Sequence, residues 1–412
     1  MSLRSQATKP SEPVPNFSGL RDVAIVGIGA TPYYKRGQSL PKTTTELACE
    51  AILAACEDAG LTVTDIDGFA YYSGASAGYT EKMDTADFME TLGIPEVRFT
   101  AALTSGGGGS AGAIGLARAA IVSGDASVVV TLMALQQSKQ RLGSVFSAME
   151  PDPINSFLQP SGLFGPGQLM SVLARRHMYL YGTRREAFAE IAISTRTNAA
   201  NRPKAIHRAP LTVEDYFNAR MIAEPLCLYD FCQETDGAVA VITTRMDRAR
   251  DLKQPPVPVV AAAHGGVREW GRAFAWMGMP DDYFASSGNK PIAERLYQQA
   301  GITAADIDVA LLYDHFTPMV LMQLEDYGFC EKGEGGPFVE SGAIRYHGGS
   351  IPVNTHGGQL SEAYIIGMTH IMEGVEQMRG TAINQVADAD LALVTGGPAS
   401  LPVSGLILGR AA

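Results

Sequence analysis

Positive charge is scarce in this 412-residue chain: 32 Lys and Arg stand against 43 Asp and Glu, a formal net charge of −11. That balance argues against a general nucleic-acid binder, because phosphate binding needs an excess of bases. Charged residues make up 18% and tryptophan occurs twice. Five cysteines in a chain this long make no disulfide framework, which predicts free thiols in a reduced, cytoplasmic protein. No apolar run approaches the ~20 residues of a spanning helix. The first residues (MSLRSQATKPSEPVPNFSG) lack an apolar h-region, so no signal peptide is expected, and residues 1–20 read as a disordered tail. With 46% apolar residues there is ample material for a large core.

The strands and helices that the sequence predicts alternate. Val23–Gly29 (VAIVGIG) is a continuous apolar run and reads as a buried strand. Thr43–Leu61 carries apolar residues at helical spacing, with threonines to cap its start and Gly60 to end it. A short acidic turn then leads into another strand, completing a βαβ unit. The pattern recurs: Ala59–Asp67 (AGLTVTDID) matches Ala300–Asp308 (AGITAADID), an offset of 241 that also carries Tyr72 onto Tyr313. A weaker echo pairs a glycine-opened helix at Gly106–Ile121 with one at Gly357–Met372, each followed by an apolar strand (Ala126–Met133 and Ala389–Gly396). The chain reads as a duplicated α/β protein rather than a repeat array. Between the echoes, Ser171–Pro210 holds eight Lys or Arg against two acids. This is either a solvated helical face or a grip for a polyanionic small molecule, with Arg184 and Arg185 among the candidates.

Several motifs fail. Gly27–Pro32 (GIGATP) has Pro32 where a dinucleotide fingerprint needs its third glycine. Ser105–Ser110 (SGGGGS) lacks the Lys-Ser/Thr of a phosphate loop. Cys227 and Cys232 find no second pair for zinc and read as core thiols. G-x-S-x-G occurs at Gly74–Gly78 and Gly108–Gly112, in segments where glycine and serine are common, and only Ser110 precedes a helix. Two glycine turns hold better. Gly107 and Gly108 open a helix whose free amides suit an oxyanion, although close helix packing needs glycine too. His356 precedes Gly357 and Gly358 in the matching turn of the second half. Tyr313-Asp314-His315-Phe316 ends a predicted strand, where α/β folds place chemistry.

These residues resemble the thiolase superfamily, and within it the lipid-transfer-protein branch related to sterol-carrier-protein thiolases. The likeness rests on Gly29-Ala30-Thr31-Pro32-Tyr33 for an R-T-P-F-type segment and Asn198-Ala199-Ala200-Asn201-Arg202-Pro203 for N-A-x-x-N-P. Tyr313–Phe316 stands for H-D-x-F and Thr355-His356-Gly357-Gly358 for a G-H-P-x-G turn. The resemblance implies duplicated βαβαβαββ halves in five α-β-α-β-α layers. It implies a first half at 21–265 with a loop domain at about 134–235, and a second half at 266–412.

The departures carry the functional expectation. Laying Ala113-Ile114 on the end of the thiolase C-A-S-G-L-Q-A-I segment puts Gly107 in the place of the nucleophilic cysteine. The second thiolase cysteine falls at Val394. Covalent Claisen chemistry needs a thiolate. Retro-aldol cleavage of a β-hydroxyacyl-CoA needs only a base and an oxyanion site, and it is the activity of the steroid side-chain-cleaving aldolases that the sequence resembles. The resemblance assigns the catalytic roles to Tyr313, Tyr364 and His356, with Tyr346 and His347 in reserve. The glycine turns and the basic stretch make Gly107, Gly108, Gly357, Arg184 and Arg185 the expected binding residues for the CoA thioester substrate. No metal and no covalently bound cofactor is expected. A non-catalytic lipid or sterol acyl-CoA carrier and an acyltransferase are the alternatives. The implied partners are a second copy, paired through an edge strand near Val97–Leu103, and a small OB-fold zinc-ribbon protein in a heterotetramer.

Overall fold

The apolar run at the start forms β1 (Val23–Ala30), buried almost throughout. The computed structural model describes residues 22–72, 83–103, 107–137, 156, 158–266, 285–399 and 402–411. The expected N-terminal tail, Gly74–Gly78, Ser105 and Gly106 lie outside the described residues. After the two-residue strand β2 (Tyr34–Lys35) comes helix α1 (Thr44–Ala59). Thr43 and Glu46 close a reciprocal capping box at its start, and Gly60 ends it at φ +71°. Gly27 and Gly29 of β1 let α1 come down onto the strand, since a β-carbon at either would strike α1 backbone.

The first half continues through β3 (Gly68–Tyr72), helix α2 (Thr85–Leu92), β4 (Phe99–Leu103), helix α3 (Gly109–Ser123), β5 (Val128–Gln136) and, past an insertion, β8 (Thr235–Arg245). The insertion carries the short hairpin β6 (Met221–Ala223) and β7 (Leu226–Cys227) and the helices Pro166–Tyr181 and Arg185–Ala199. Leu173, Phe188 and Ile191 of those helices share a core with Met319 and Val320 of the Thr317–Asp326 helix, so the insertion packs on the second half.

Strand order shows the duplication. In the first half β4-β3-β5-β8-β1 runs with β3 parallel to both neighbours and the remaining pairs antiparallel. In the second, β10 (Val309–Leu311) is parallel to β11 (Leu391–Gly396) and, through a single bridge, to Val353; β11, β12 (Val403–Gly409) and β9 (Val257–Gly265) follow antiparallel. The 241-residue offset lands Gly68, where β3 starts, on Val309, where β10 starts. It also lands the capping box of Thr62 and Asp65 on that of Thr303 and Asp306. β9 joins the halves by pairing with β1 over Ala24–Ile25. It also forms a long antiparallel ladder with β12.

Helices fill the space between and outside the sheets. α3 lies between the halves: Ala113 and Ala117 pack on Ala70 and Val129, while Gly112 and Gly115 face His264 and Ala262 of β9. Its counterpart, Met368–Arg379, packs Gly374 on Val394 and Leu408. That helix starts later than expected from the glycine turn at Gly357. Gly358–Glu362 make one wide turn, Ala363 is extended, and helix resumes only after Gly367. The physical reason lies outside the segment. Asp314 takes the N–H groups of Gln359 and Leu360, and the Thr235 hydroxyl bonds both the N–H and the C=O of Tyr364. No helix among the described residues is long and apolar enough to cross a membrane.

Candidate active site

Tyr313 sits just past β10, at the meeting of the two central helices. Its N–H donates to Thr395 Oγ1 (2.8 Å) and its C=O accepts from Gln323 Nε2 (2.9 Å). The Thr395 hydroxyl closes the loop on Gln323 Oε1. With the backbone held, the phenol lies directly over Gly107. A β-carbon at 107 would come 2.4 Å from Tyr313 Cζ and 2.5 Å from its hydroxyl oxygen. Gly367 lies under the same ring, where a β-carbon would be 2.9 Å from Tyr313 Cδ2 and 2.9 Å from Ser110 Oγ. The hydroxyls of Tyr313 and Tyr364 face each other at 3.5 Å, and both side chains are buried.

Histidines form the adjoining wall. His370 Nε2 lies 3.0 Å from both the Leu312 carbonyl and Asp314 Oδ1. The His370 ring stacks on Tyr313 at 6.2 Å and meets His356 edge-on at 4.7 Å. His356 is fully buried, and neither ring nitrogen has a hydrogen-bond partner among the described residues. Burial, reinforced by His370 and the Arg202 guanidinium, holds its imidazole well below the usual value, so the ring is neutral. Burial likewise brings His315, 5.2 Å from the Tyr313 ring, down to about 3.

Behind His356 lies a buried ion cluster. Arg202 bonds Glu362, Glu373 and Glu376 at 2.9–3.0 Å. Burial outweighs Arg202 at Glu362 and raises its carboxyl to about 8; Glu362 Oε2 is 4.0 Å from His356 Nε2.

The glycines expected at a binding cradle are occupied by packing on their side-chain side. A β-carbon at Gly108 would overlap the Pro402 carbonyl, and one at Gly357 would meet Ala199 Cβ at 2.6 Å. Gly357 and Gly358 both have positive φ (+101° and +58°), and a β-carbon at Gly358 would overlap Asp314 Oδ2. The structure thus gathers Tyr313, Tyr364, His356 and Gly107. Arg184 and Arg185 stand apart, at the start of the helix whose far end, Ala199, touches Gly357. Fourteen residues at ~1.5 Å rise separate them by about 21 Å. Arg184 is exposed and paired with Glu340, while Arg185 lies over the rings of Tyr216 and Phe217. Of the remaining basic residues in that stretch, Arg175 pairs with Glu224, and Arg196 bonds Ser361 Oγ. Tyr346 and His347 line a surface groove of about 280 Å³ with Glu190, Asn198 and Asn384, away from the tyrosine pair.

All five cysteines are free. Cys232 borders the site, its N–H bonded to the His315 carbonyl, and burial pushes its thiol upward, away from thiolate. No local signal in the sequence marks His370, Thr235, Thr395 or Gln323. They act through the backbone of the tyrosines or the face of Tyr313, Thr235 and Thr395 from far along the chain.

Comparison with known proteins places this geometry. The thiolase N-terminal domain matches residues 23–247 and the thiolase C-terminal domain-like family matches residues 277–409. The chain is 43% identical over 406 residues to the 17-hydroxy-3-oxo-4-pregnene-20-carboxyl-CoA lyase of Mycobacterium tuberculosis, covering 94% of this chain and 98% of that one. It is 40% identical over 393 residues to the steroid side-chain-cleaving aldolase of Thermomonospora curvata, covering 94% and 97%. The solved structure of the Ltp2-ChsH2(DUF35) aldolase aligns with a TM-score of 0.86 at 38% identity, over 95% of this chain and 99% of that one. Matched in both halves and along nearly its whole length, the chain belongs to the thiolase family.

Proposed function

We propose that this chain is a carbon–carbon lyase that cleaves a β-hydroxyacyl-CoA by a retro-aldol reaction, the β-carbon being C17 of a steroid. The observation that carries this reading is the Tyr313 phenol lying over Gly107, in the volume a nucleophile at 107 would need, with Tyr364 Oη beside it. The high similarity to a lyase and an aldolase of steroid side chains supports it.

The steps balance without a covalent enzyme intermediate. One tyrosine takes the proton of the 17-hydroxyl. The C17–C20 bond breaks, its electron pair passes to C20, and C17 becomes a ketone. Negative charge spreads onto the thioester oxygen as an enolate, where His356 donates a hydrogen bond. A proton returned by the tyrosine pair to C20 completes an acyl-CoA. A free phenol starts near pKa ~10, so donation needs no perturbation, whereas base action requires depression by a neighbouring cation or a strong hydrogen bond. Arg184 and Arg185 remain the proposed contacts for the CoA phosphates, one helix length from the reacting carbons. The proposed assembly pairs two copies along the exposed edge of β4 and adds a DUF35-type OB-fold zinc-ribbon protein.

The test is incubation of the chain, with and without such a partner, with a 17-hydroxy steroid bearing a C20 carboxyl-CoA side chain. Release of a 17-ketosteroid and propionyl-CoA is expected. Tight binding of the thioester with no turnover in the presence of the partner would establish a carrier instead.

A further inference from the structure

One buried donor in the site has no use within the fold. Gln359 lies in the turn that carries His356, and its side chain is fully buried. Three bonds fix it. Its N–H donates to Asp314 Oδ1 (2.8 Å), its C=O accepts from Gln233 N–H (3.2 Å), and its side-chain Oε1 accepts from Gly367 N–H (3.0 Å). A backbone N–H can only donate, so the atom facing Gly367 is the oxygen, and the carboxamide orientation is settled by chemistry. The NH₂ group is left on the other side. Among the described residues it meets no acceptor. A buried donor left unsatisfied costs about 1–3 kcal/mol, so its retention points to a ligand. Its place indicates which one. The amide spans from the His356 turn to Gly367, and Gly367 lies against Tyr313 and Ser110.

We propose that the Gln359 carboxamide is a catalytic residue, the second hydrogen-bond donor, beside His356, to the enolate oxygen of the CoA thioester. This inference rests on the lyase reading above. A neutral imidazole brings one N–H. A pinned amide adds a donor that does not reorganise as charge develops. Gly358 and Asp314 serve this arrangement indirectly, by holding the turn.

The experiment separates this inference from the reading it rests on. Affinity is measured for a nitronate analogue of the acyl-CoA enolate and for propionyl-CoA, in the wild type and in Gln359→Met and Gln359→Glu, with the partner protein present. Gln359→Met is expected to weaken nitronate binding by about 10- to 100-fold, the range for a hydrogen bond to a charged group, and propionyl-CoA binding by less than about threefold. Gln359→Glu retains the acceptor for Gly367 and is expected to weaken the nitronate at least as much. Where steroid cleavage is measured, kcat is expected to fall about 10²–10³-fold with KM little changed. Nitronate affinity equal to wild type in both variants, or equal losses for both ligands, overturns the role of Gln359. A wild type that binds the nitronate tightly but cleaves no steroid leaves the donor intact and overturns the lyase reading.

Discussion

A β-carbon at position 107 and the phenol of Tyr313 compete for one volume. Gly107→Cys therefore places a thiol against the ring rather than beside a substrate. Overpacking of this kind costs about 1–3 kcal/mol, and the variant is expected to lose C–C cleavage without gaining an acyl-enzyme, as intact-mass measurement with an acyl-CoA will read. Tyr313→Phe and Tyr364→Phe each retain the ring and remove the proton carrier. Each is expected to lower kcat by about 10²-fold or more, the scale of general acid–base catalysis, with CoA-thioester affinity held within a few-fold. Equal losses in rate and affinity would sink the assigned roles. Glu362 offers a test by pH. Its carboxyl rises on folding from an ordinary 4.5 to about 8, so between those values the folded chain holds a proton that the unfolded chain has lost. Stability from this group therefore falls as pH climbs through the window, by up to about 1.4 kcal/mol per unit. Glu362→Gln should flatten that part of the Tm-against-pH curve; an unchanged slope would contradict it.

The segment Gly357–Gly367 shows how elements hold these residues. It departs from helix because Asp314 and Thr235, one from each half, claim its backbone. Gly358 has positive φ and no room for a β-carbon, whereas Gly124, at the end of α3, has positive φ but open space. Gly124→Ala should cost roughly 1–2 kcal/mol, the left-handed penalty alone. Gly358→Ala should cost more and displace His356, seen as a larger Tm drop together with lost cleavage. Similar Tm drops in the two variants would show that Asp314 yields. The elements were largely legible beforehand: α1 with its threonine cap and Gly60 stop, the strands at 23 and 128, the echo at 241. The wide turn was not, because its cause is a carboxylate about 45 residues away in sequence (Asp314 to Gln359). The glycines near 107 pointed to a close approach. What approaches their side-chain faces is protein: Tyr313, Pro402 and, for Gly109, Tyr72.

At the scale of the molecule, the repeat read at one offset becomes two halves of matching strand order, joined through β9 and β1, with α3 between them. The candidate site lies where the copies meet, which brings Gly107 and Tyr313, far apart in the chain, into contact. Family likeness singled out Tyr313, Tyr364 and His356, and the fold brings all three together. The basic stretch was harder to read, because charge counted along the chain says nothing of pairing. Arg202 is committed to the buried Glu362 and Glu373 and the half-buried Glu376, and Arg184 to Glu340. Replacing Arg202 with Met should be severe, with a loss of about 3–5 kcal/mol from stranded carboxylates, measured by denaturant midpoint; a neutral outcome would mean that those glutamates take up protons freely.

The contact of Tyr313 with Gly107 also sets a barrier to evolutionary reversal. Under the proposed roles, a mutation that introduces a thiol collides with the aromatic ring, and one that trims the ring is expected to forfeit cleavage while no thiol yet exists. Neither single change is then expected to leave a working catalyst, so on this reading descendants of this protein keep lyase chemistry unless both sites change together.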